Sequence, residues 1–250
     1  MHPSALENGK IFFDTYVSRL GPVKLVEIGS QNVNGSLREV APSNVEYIGV
    51  DFVEGKDVDV ILSDPYVLPF ETSSVDLVVS SSCFEHSEMF WLVFNEVMRT
   101  LKPAGLFFLN APSNGPFHRY PVDCWRFYPD AANALVTWAK RTGTNAGVLE
   151  SFTTPQKDDY WNDYLAVFIK NIECAADHPA RMLDHLEKFT NGIRYGESDI
   201  LNPDNMPQDI NEKYRLMQEV ERLTKELDEL KRTVQSGRND GSSGYDGSEG

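Results

Sequence analysis

The feature that most constrains the fold is an apolar segment, residues 24–28, that runs directly into a loop of small and polar residues at 29–36. A second apolar segment at 45–50 ends in Asp51. Gly29 and Asp51 are separated by the ~20 residues that one strand–loop–helix–strand passage requires. A doubly wound α/β sheet builds a nucleotide pocket in this way, because the loop lets a ligand approach the backbone and the acid accepts hydrogen bonds from ribose hydroxyls.

Composition and charge limit the class of partner. The 250 residues are 41% hydrophobic, which is globular and enough for one substantial core plus an appendage. The formal net charge is −15. Nucleic acid is therefore not expected as a partner, because binding to phosphates requires a cationic face.

Cysteine content and hydropathy indicate the compartment. Cys83, Cys124 and Cys174 are widely spaced, odd in number and without a CxxC pair, which favours free thiols over disulfides or a zinc site. No segment has the ~20 apolar residues that a membrane span requires, and residues 1–20 do not resemble a signal peptide. We expect a cytoplasmic protein without a membrane span.

Apolar patterning over residues 1–171 predicts alternating strands and helices. Strands are predicted at 24–28, 45–50, 58–62, 75–80, 106–110, 148–152 and 164–169, and helices at 4–20, 88–101 and 129–141, with a helical turn at 36–40. This alternation predicts an α/β, Rossmann-like, doubly wound and mostly parallel sheet. The last two strands are joined by a loop alone, which suits an antiparallel edge.

The chain changes character beyond residue 171. Residues 172–209 are predicted to be a helix at 179–189 followed by a polar linker at 191–209 with two prolines. A coiled-coil helix is predicted at 210–236, because apolar residues recur there at a/d spacing: Leu216, Val220, Leu223, Leu227, Leu230 and Val234. This seam predicts a homo-oligomer, and the Gly/Ser/Asp-rich tail at 237–250 predicts disorder.

Six motifs in the first 171 residues occur in a fixed order. They are Glu27-Ile28-Gly29, Asp51, Asp64 ahead of Leu68-Pro69-Phe70, the VDLVV segment at 75–79, Glu85-His86, and the RTLKPAG segment at 99–105. Together they resemble class I S-adenosylmethionine-dependent methyltransferases of the small-molecule branch called methyltransferase type 11. The resemblance covers roughly residues 13–171 and implies that fold with S-adenosylmethionine as cofactor.

Two further segments narrow the resemblance. The loop at 27–36 and the HRYPVDCWRF segment at 118–127 are similar to methyltransferases of bacterial surface-polysaccharide biosynthesis. That similarity implies a hydroxyl acceptor on a sugar or glycan. The family's usual loop is Gly-x-Gly-x-Gly, whereas Gln31 and Val33 stand at the second and third glycines here. Gly35 is expected to restore flexibility slightly later.

The resemblance assigns a cofactor pocket. Glu27 approaches the methionine end, Gly29 and Ser30 let the backbone pass close to the ligand, and Asp51 accepts from both ribose hydroxyls. Asp64 accepts from the adenine amino group beside Pro65, and Ser81 lies where cofactor and acceptor meet. The alternative for both aspartates is a cap or turn role, since Asp favours both and Asp-Pro commonly starts turns.

The segment after the fifth strand is the predicted acceptor site. His118 is the candidate base, because imidazole takes up protons near neutral pH. His86 is assigned a structural role. A sugar would suit the neighbouring planar and aromatic groups, which are Arg119, Tyr120, Asp123, Trp125 and Arg126. The alternative is that Trp125 anchors the core and Arg126 pairs with Asp123 to hold the loop. No metal site is predicted, because diagnostic ligand spacing is absent.

These observations predict methyl transfer from S-adenosylmethionine to a hydroxyl on a small molecule or glycan. A second interpretation is a non-catalytic cofactor-binding or scaffold module that assembles through its coiled coil. A third and weaker interpretation is an NAD-linked oxidoreductase, because the second and third glycines of the dinucleotide fingerprint are missing.

Overall fold

A computed structural model of the chain describes residues 3–157 and 160–240, with side chains described up to residue 235. Its first compact unit, Met1–Asn205, is built on one eight-stranded sheet. The strands are β1 (Val23–Ile28), β2 (Val45–Asp51), β3 (Val60–Ile61), β4 (Val75–Ser81), β5 (Leu101–Pro112), β6 (Gly147–Thr153), β7 (Asp163–Ile169) and β8 (Thr190–Arg194). The helices of this unit are α1 (Pro3–Tyr16), α2 (Phe90–Thr100) and α3 (Ala131–Arg141).

The strand order is β3-β2-β1-β4-β5-β7-β6-β8. The strands from β3 to β5 are parallel, and β7 runs antiparallel to both β5 and β6. The predicted α/β Rossmann-like class and the antiparallel final strands are therefore confirmed. The order reverses between β1 and β4, and ligands of open α/β sheets bind at the carboxyl ends of strands beside such a switch point.

Both faces of the central strands are buried, which explains their nearly continuous apolar sequences. On one face Val26, Val78 and Phe107 pack in a core with residues of α2 and α3. On the other face Leu25 and Phe108 join a second core that includes residues of α1. Alternation of side chains along each strand thus divides one hydrophobic run between two layers.

The fifth strand begins earlier than its sequence predicts. It was expected at 106–110, yet β5 begins at Leu101. The pairing with β4 moves from Val75–Leu101 to Leu77–Leu106, so residues 102–105 form an irregularity within the strand pair. The turn-like sequence is accommodated because regular pairing resumes beyond it in a shifted register.

The prediction for residues 172–209 was wrong. The helix expected at 179–189 is only a short 3-10 turn at Met182–Asp184, and β8 lies within the expected linker and pairs with β6. The carboxylate of Glu150, buried on β6, accepts the backbone N–H groups of Met182 at 2.8 Å and Leu183 at 3.0 Å. This distant polar anchor holds the segment on the sheet, so the first unit extends to Asn205 instead of ending near residue 171.

The second unit, Met206–Gly250, contains α4 (Gln208–Asp240). A helix over 210–236 is confirmed, and its six heptad residues are 50–63% exposed. Residues 237–240 of the tail predicted to be disordered continue this helix, and the rest of that tail lies outside the described residues. Among the helices that the structure describes, none has the length and apolar character of a membrane span.

Truncation tests the position of the domain boundary. We expect a chain ending at residue 205 to unfold at the same denaturant concentration as residues 1–205 within the whole protein. A chain ending at residue 171 loses β8 and two hydrogen bonds to the buried Glu150 carboxylate, which costs about 3 kcal/mol or more. Urea unfolding followed by circular dichroism measures both, and equal stability of the two truncated chains would contradict the boundary.

Candidate functional site

The loop after β1 lies against the ends of β2 and β4. Gly29 has a φ of +76°, and a Cβ there would stand 2.6 Å from the Sγ of Cys83. Its N–H and that of Ser30 donate to the carbonyl of Val50 at 3.0 and 3.2 Å. Both backbone conformation and space therefore require glycine at this position. Gly35, with a φ of +115°, also adopts a left-handed conformation, as expected for a loop whose second and third glycines are replaced.

Asp51 ends β2 beside this loop. Its carboxylate accepts the N–H of Gln31 at 3.3 Å and that of Val53 at 3.1 Å. The residue is only 9% exposed, so the carboxylate is held at the switch-point edge of the sheet and away from bulk water. Each carboxylate oxygen keeps a lone pair for a further donor, which is the capacity that ribose recognition requires.

Glu27 is a deeply buried acid at this edge. It is 2% exposed on β1, between Gly49 of β2 and Val79 of β4. The hydroxyl of Ser36 donates to its Oε2 at 3.5 Å. Burial raises the pKa of Glu27 to about 7, against the opposing effects of the Tyr47 hydroxyl and the Arg38 guanidinium. A cationic ligand group near this carboxyl would stabilise its charged form.

Three serine hydroxyls at this edge are buried without a hydrogen-bond partner in the protein: Ser30 after β1, Ser81 at the end of β4, and Ser82 next to it. Buried polar groups are normally paired, and orphans gathered at one edge indicate a polar ligand. The buried serines, the close backbone at Gly29 and the Asp51 carboxylate fit the nucleoside and amino-acid portions of S-adenosylmethionine.

Asp64 and Pro65 follow β3 on an exposed turn. The Oδ1 of Asp64 accepts the N–H of Tyr66 at 2.8 Å, which is the Asx-turn geometry of the alternative interpretation. Recognition of an adenine amino group by the exposed Asp64 carboxylate stays a prediction.

Asp123 and Arg126 hold the segment after β5. The Arg126 guanidinium donates to both oxygens of Asp123, at 2.6 and 2.9 Å, and Asp123 also accepts the N–H of His118 at 2.7 Å. The Arg126 hydrogen bonds lower the pKa of Asp123 to about 2. Both charges are engaged within the loop, which is the arrangement that the alternative to direct acceptor binding predicts.

Other side chains of this segment are available at the surface. Arg119 is exposed, and the Tyr120 hydroxyl donates to the Oε1 of Gln31 at 3.1 Å, which joins the segment to the loop after β1. Trp125 donates its indole N–H to the carbonyl of Ser87 at 2.9 Å and contacts Phe90 edge to face. Trp125 is thus partly anchored, as the alternative predicts, while its ring remains partly exposed.

His118 lies in a cluster that the sequence did not fully reveal. Its side chain is 38% exposed, and its ring centroid is 4.9 Å from those of both His86 and Trp161. Glu85, 1% exposed, lies beside them, and burial raises its pKa to about 8. The motif Glu85-His86 was visible in the sequence, whereas its approach to His118 across 32 positions depends on the fold.

The family model described as a methyltransferase domain matches residues 27–109. No curated protein sequence matches the chain. Among solved structures, the 1,6-didemethyltoxoflavin-N1-methyltransferase of Burkholderia thailandensis is 13% identical, with a TM-score of 0.53 over 67% of this chain and 79% of that one. A putative sarcosine dimethylglycine methyltransferase from Galdieria sulphuraria is 14% identical, with a TM-score of 0.51 over 67% and 86%.

The [4+2]-cyclase SpnF shares the fold as well, at 13% identity and a TM-score of 0.50, over 66% of this chain and 81% of that one. Residues 27–109 therefore match a methyltransferase domain, and the sheet has the Rossmann-like fold of class I methyltransferases. S-adenosylmethionine is the cofactor that agrees with this domain and with the residues of the switch-point edge.

Replacing Glu27 by Gln tests its buried carboxyl. The folded pKa of about 7 lies above the ordinary value of 4.5, so the carboxyl favours folding fully below pH 4.5 and this contribution is lost as pH rises through 7. We expect the free energy of unfolding of the wild type to fall by about 3 kcal/mol between these pH values. Glu27→Gln is expected not to show this decrease. Urea unfolding from pH 4.5 to 8 measures it. Glu46→Gln, on the exposed side of β2, is the control, and parallel profiles for Glu27→Gln and the wild type would disprove the assignment.

Proposed function

We propose that this protein transfers a methyl group from S-adenosylmethionine to a hydroxyl of a sugar or glycan. The observation that carries the proposal is the set of buried, unpartnered hydroxyls beside Asp51 at the switch point of a methyltransferase-type sheet. The cofactor supplies an electrophilic methyl group on a sulfonium, and catalysis of such a transfer rests mainly on positioning.

The cofactor-side residues act by binding and orientation. Asp51 accepts from the ribose hydroxyls, and Asp64 accepts from the adenine amino group beside Pro65. Glu27 pairs with the methionine ammonium, which lowers the free energy of its buried charge. Gly29 lets the cofactor lie close to the backbone. The hydroxyls of Ser30 and Ser81 form hydrogen bonds with polar groups of the cofactor.

The acceptor side has the surface chemistry of a sugar-binding site. Exposed rings lie along the segment after β5, at Phe117, Tyr120, Trp125 and Tyr128, and Arg119 is exposed among them. Aromatic faces stack on the C–H face of a sugar, and a guanidinium binds its hydroxyls. Asp123 and Arg126 keep this segment in place. His118 is the catalytic residue, since its imidazole takes up the hydroxyl proton as the new C–O bond forms.

Replacement of Asp51 tests cofactor binding. We expect Asp51→Ala to weaken S-adenosylhomocysteine binding by at least ~1.5 kcal/mol, about tenfold, because charge-assisted hydrogen bonds to ribose are lost. Isothermal titration calorimetry measures the affinity. Glu54→Ala, an exposed acid three residues further on, is the matched control. Equal affinity of wild type and Asp51→Ala would refute the pocket.

The acceptor class is tested separately by turnover. Transfer of a labelled methyl group to sugar hydroxyls, with no transfer to matched amino sugars acetylated at oxygen, supports the proposal. Methylation of nitrogen alone would exclude a hydroxyl acceptor while leaving the cofactor assignment intact.

A second function is a non-catalytic cofactor-binding or scaffold module. The loop after β1, in which Gln31 and Val33 replace the second and third glycines, is compatible with this alternative. Binding of S-adenosylhomocysteine without methyl transfer to any acceptor would favour this alternative. We place either function in the cytoplasm, in keeping with three cysteines that are all free.

We further propose that α4 associates with a second copy as a parallel two-stranded coiled coil. Val220 and Val234 occupy a positions and leucines occupy every d position of the seam, a pattern that favours dimers. In a parallel pair, Glu226 at g faces Lys231 at e of the other copy, whereas an antiparallel pair would bring Glu219 and Glu226 together.

A charge within the seam tests this association. We expect Leu223→Lys to convert a dimer into a monomer, because a lysine at a central d position places charge in the apolar seam. Light scattering after size-exclusion chromatography measures the mass. Gln218→Lys adds the same charge outside the seam and is expected to remain dimeric. A monomeric wild type, or a dimeric Leu223→Lys, would contradict the proposal.

A further inference from the structure

We propose that Glu85, His86 and His118 form a binding site for a divalent transition-metal ion. One potential ligand atom from each of the three side chains lies within 4.8 Å of the other two. The Oε1 of Glu85 and the Nε2 of His86 are 3.7 Å apart. Two imidazoles and one carboxylate are a ligand set of zinc sites that keep a coordination position open for a further ligand.

Hydrogen bonds orient both imidazoles for metal binding. The Nδ1 of His86 lies 2.5 Å from the carbonyl of Val122, so a proton on Nδ1 leaves the lone pair on Nε2. The Nδ1 of His118 lies 3.3 Å from the carbonyl of Pro116, 3.4 Å from the Oδ2 of Asp123 and 3.5 Å from the Nη2 of Arg126. Metal-ligating histidines commonly donate their other ring N–H to a carbonyl or carboxylate in this way.

Glu85 supplies the second, independent observation. Its side chain is buried, yet its Oε2 has no hydrogen-bond partner in the protein. A buried charged oxygen without a partner is costly, and a bound cation removes that cost. Arg126, the nearby cation, is already paired with both oxygens of Asp123 and leaves the Glu85 oxygen available.

The side chains must close slightly around the ion. Ligand atoms of a tetrahedral zinc ion lie ~3.4 Å apart at ordinary metal–ligand distances, which is closer than the 4.8 Å limit observed here. His118 is the partly exposed member, so a small rotation of its ring accomplishes the closure. The same exposure leaves room at the ion for a further ligand.

Metal binding itself does not depend on the proposed function, but its use in catalysis rests on it. A cation held by Glu85, His86 and His118 would lower the pKa of an acceptor hydroxyl, and the proton would pass to water. The oxygen then bonds to the methyl carbon as the C–S bond breaks, leaving a methyl ether and S-adenosylhomocysteine. In the metal-free protein, the His118 lone pair takes the proton directly.

Titration of the full, reduced protein with Co²⁺ and with Zn²⁺ tests the site. We expect one ion per chain by calorimetry, and visible bands of Co²⁺ without the charge-transfer absorption that a cysteine thiolate produces. His118→Ala and Glu85→Gln are each expected to lose at least ~10-fold in affinity. His185→Ala removes an exposed imidazole elsewhere and is expected to bind as the wild type does.

Absence of binding, or wild-type affinity in His118→Ala, overturns the proposal, as does a cobalt–thiolate spectrum. Circular dichroism establishes folding, and if Glu85→Gln does not fold, the partly exposed His118→Ala decides alone. S-adenosylhomocysteine binding is measured on the same samples. Cofactor binding without Co²⁺ binding refutes the metal site alone, whereas Co²⁺ binding without cofactor binding refutes the proposed function alone.

Discussion

The close approach of the loop after β1 to the ends of β2 and β4 is the constraint on which the site depends. Gly29 adopts a left-handed conformation within reach of Cys83, and its N–H is bonded to Val50. Any side chain at this position would displace the loop from Asp51. Two neighbouring parallel strands therefore share one edge at which backbone, hydroxyl and carboxylate groups converge.

The hydrogen-bond partners of three buried glutamates distinguish a structural acid from acids at the candidate sites. Glu150 accepts the Tyr16 hydroxyl at 2.5 Å and two backbone N–H groups, and this carboxylate holds distant parts of the chain together. Glu27 accepts a long hydrogen bond from Ser36 and is also stabilised by the Tyr47 hydroxyl, whereas one oxygen of Glu85 has no partner. Burial raises the pKa of all three, and the one with an unpartnered oxygen, Glu85, is the one at the candidate metal site.

Local sequence patterns were sufficient to predict much of the fold. The strands containing Leu25, Val78 and Phe107 are short apolar runs, and the amphipathic helix at 90–100 was evident from its period. The same reasoning failed for residues 172–209, because β8 is polar and short. Its place in the sheet depends on pairing with β6 and on the Glu150 anchor, neither of which leaves a periodic signal nearby.

The amino-acid order alone predicted a doubly wound sheet with Gly29 and Asp51 at the edge proposed to bind the cofactor, since strand periodicity and the loop interval are local properties. It also marked His118 and the aromatic residues near it as an acceptor segment. Folding was needed to show that Asp123 and Arg126 are engaged with each other and that Glu85, His86 and His118 come together. These contacts join residues far apart in the chain, and side-chain packing across the sheet edge, which no local pattern encodes, determines them.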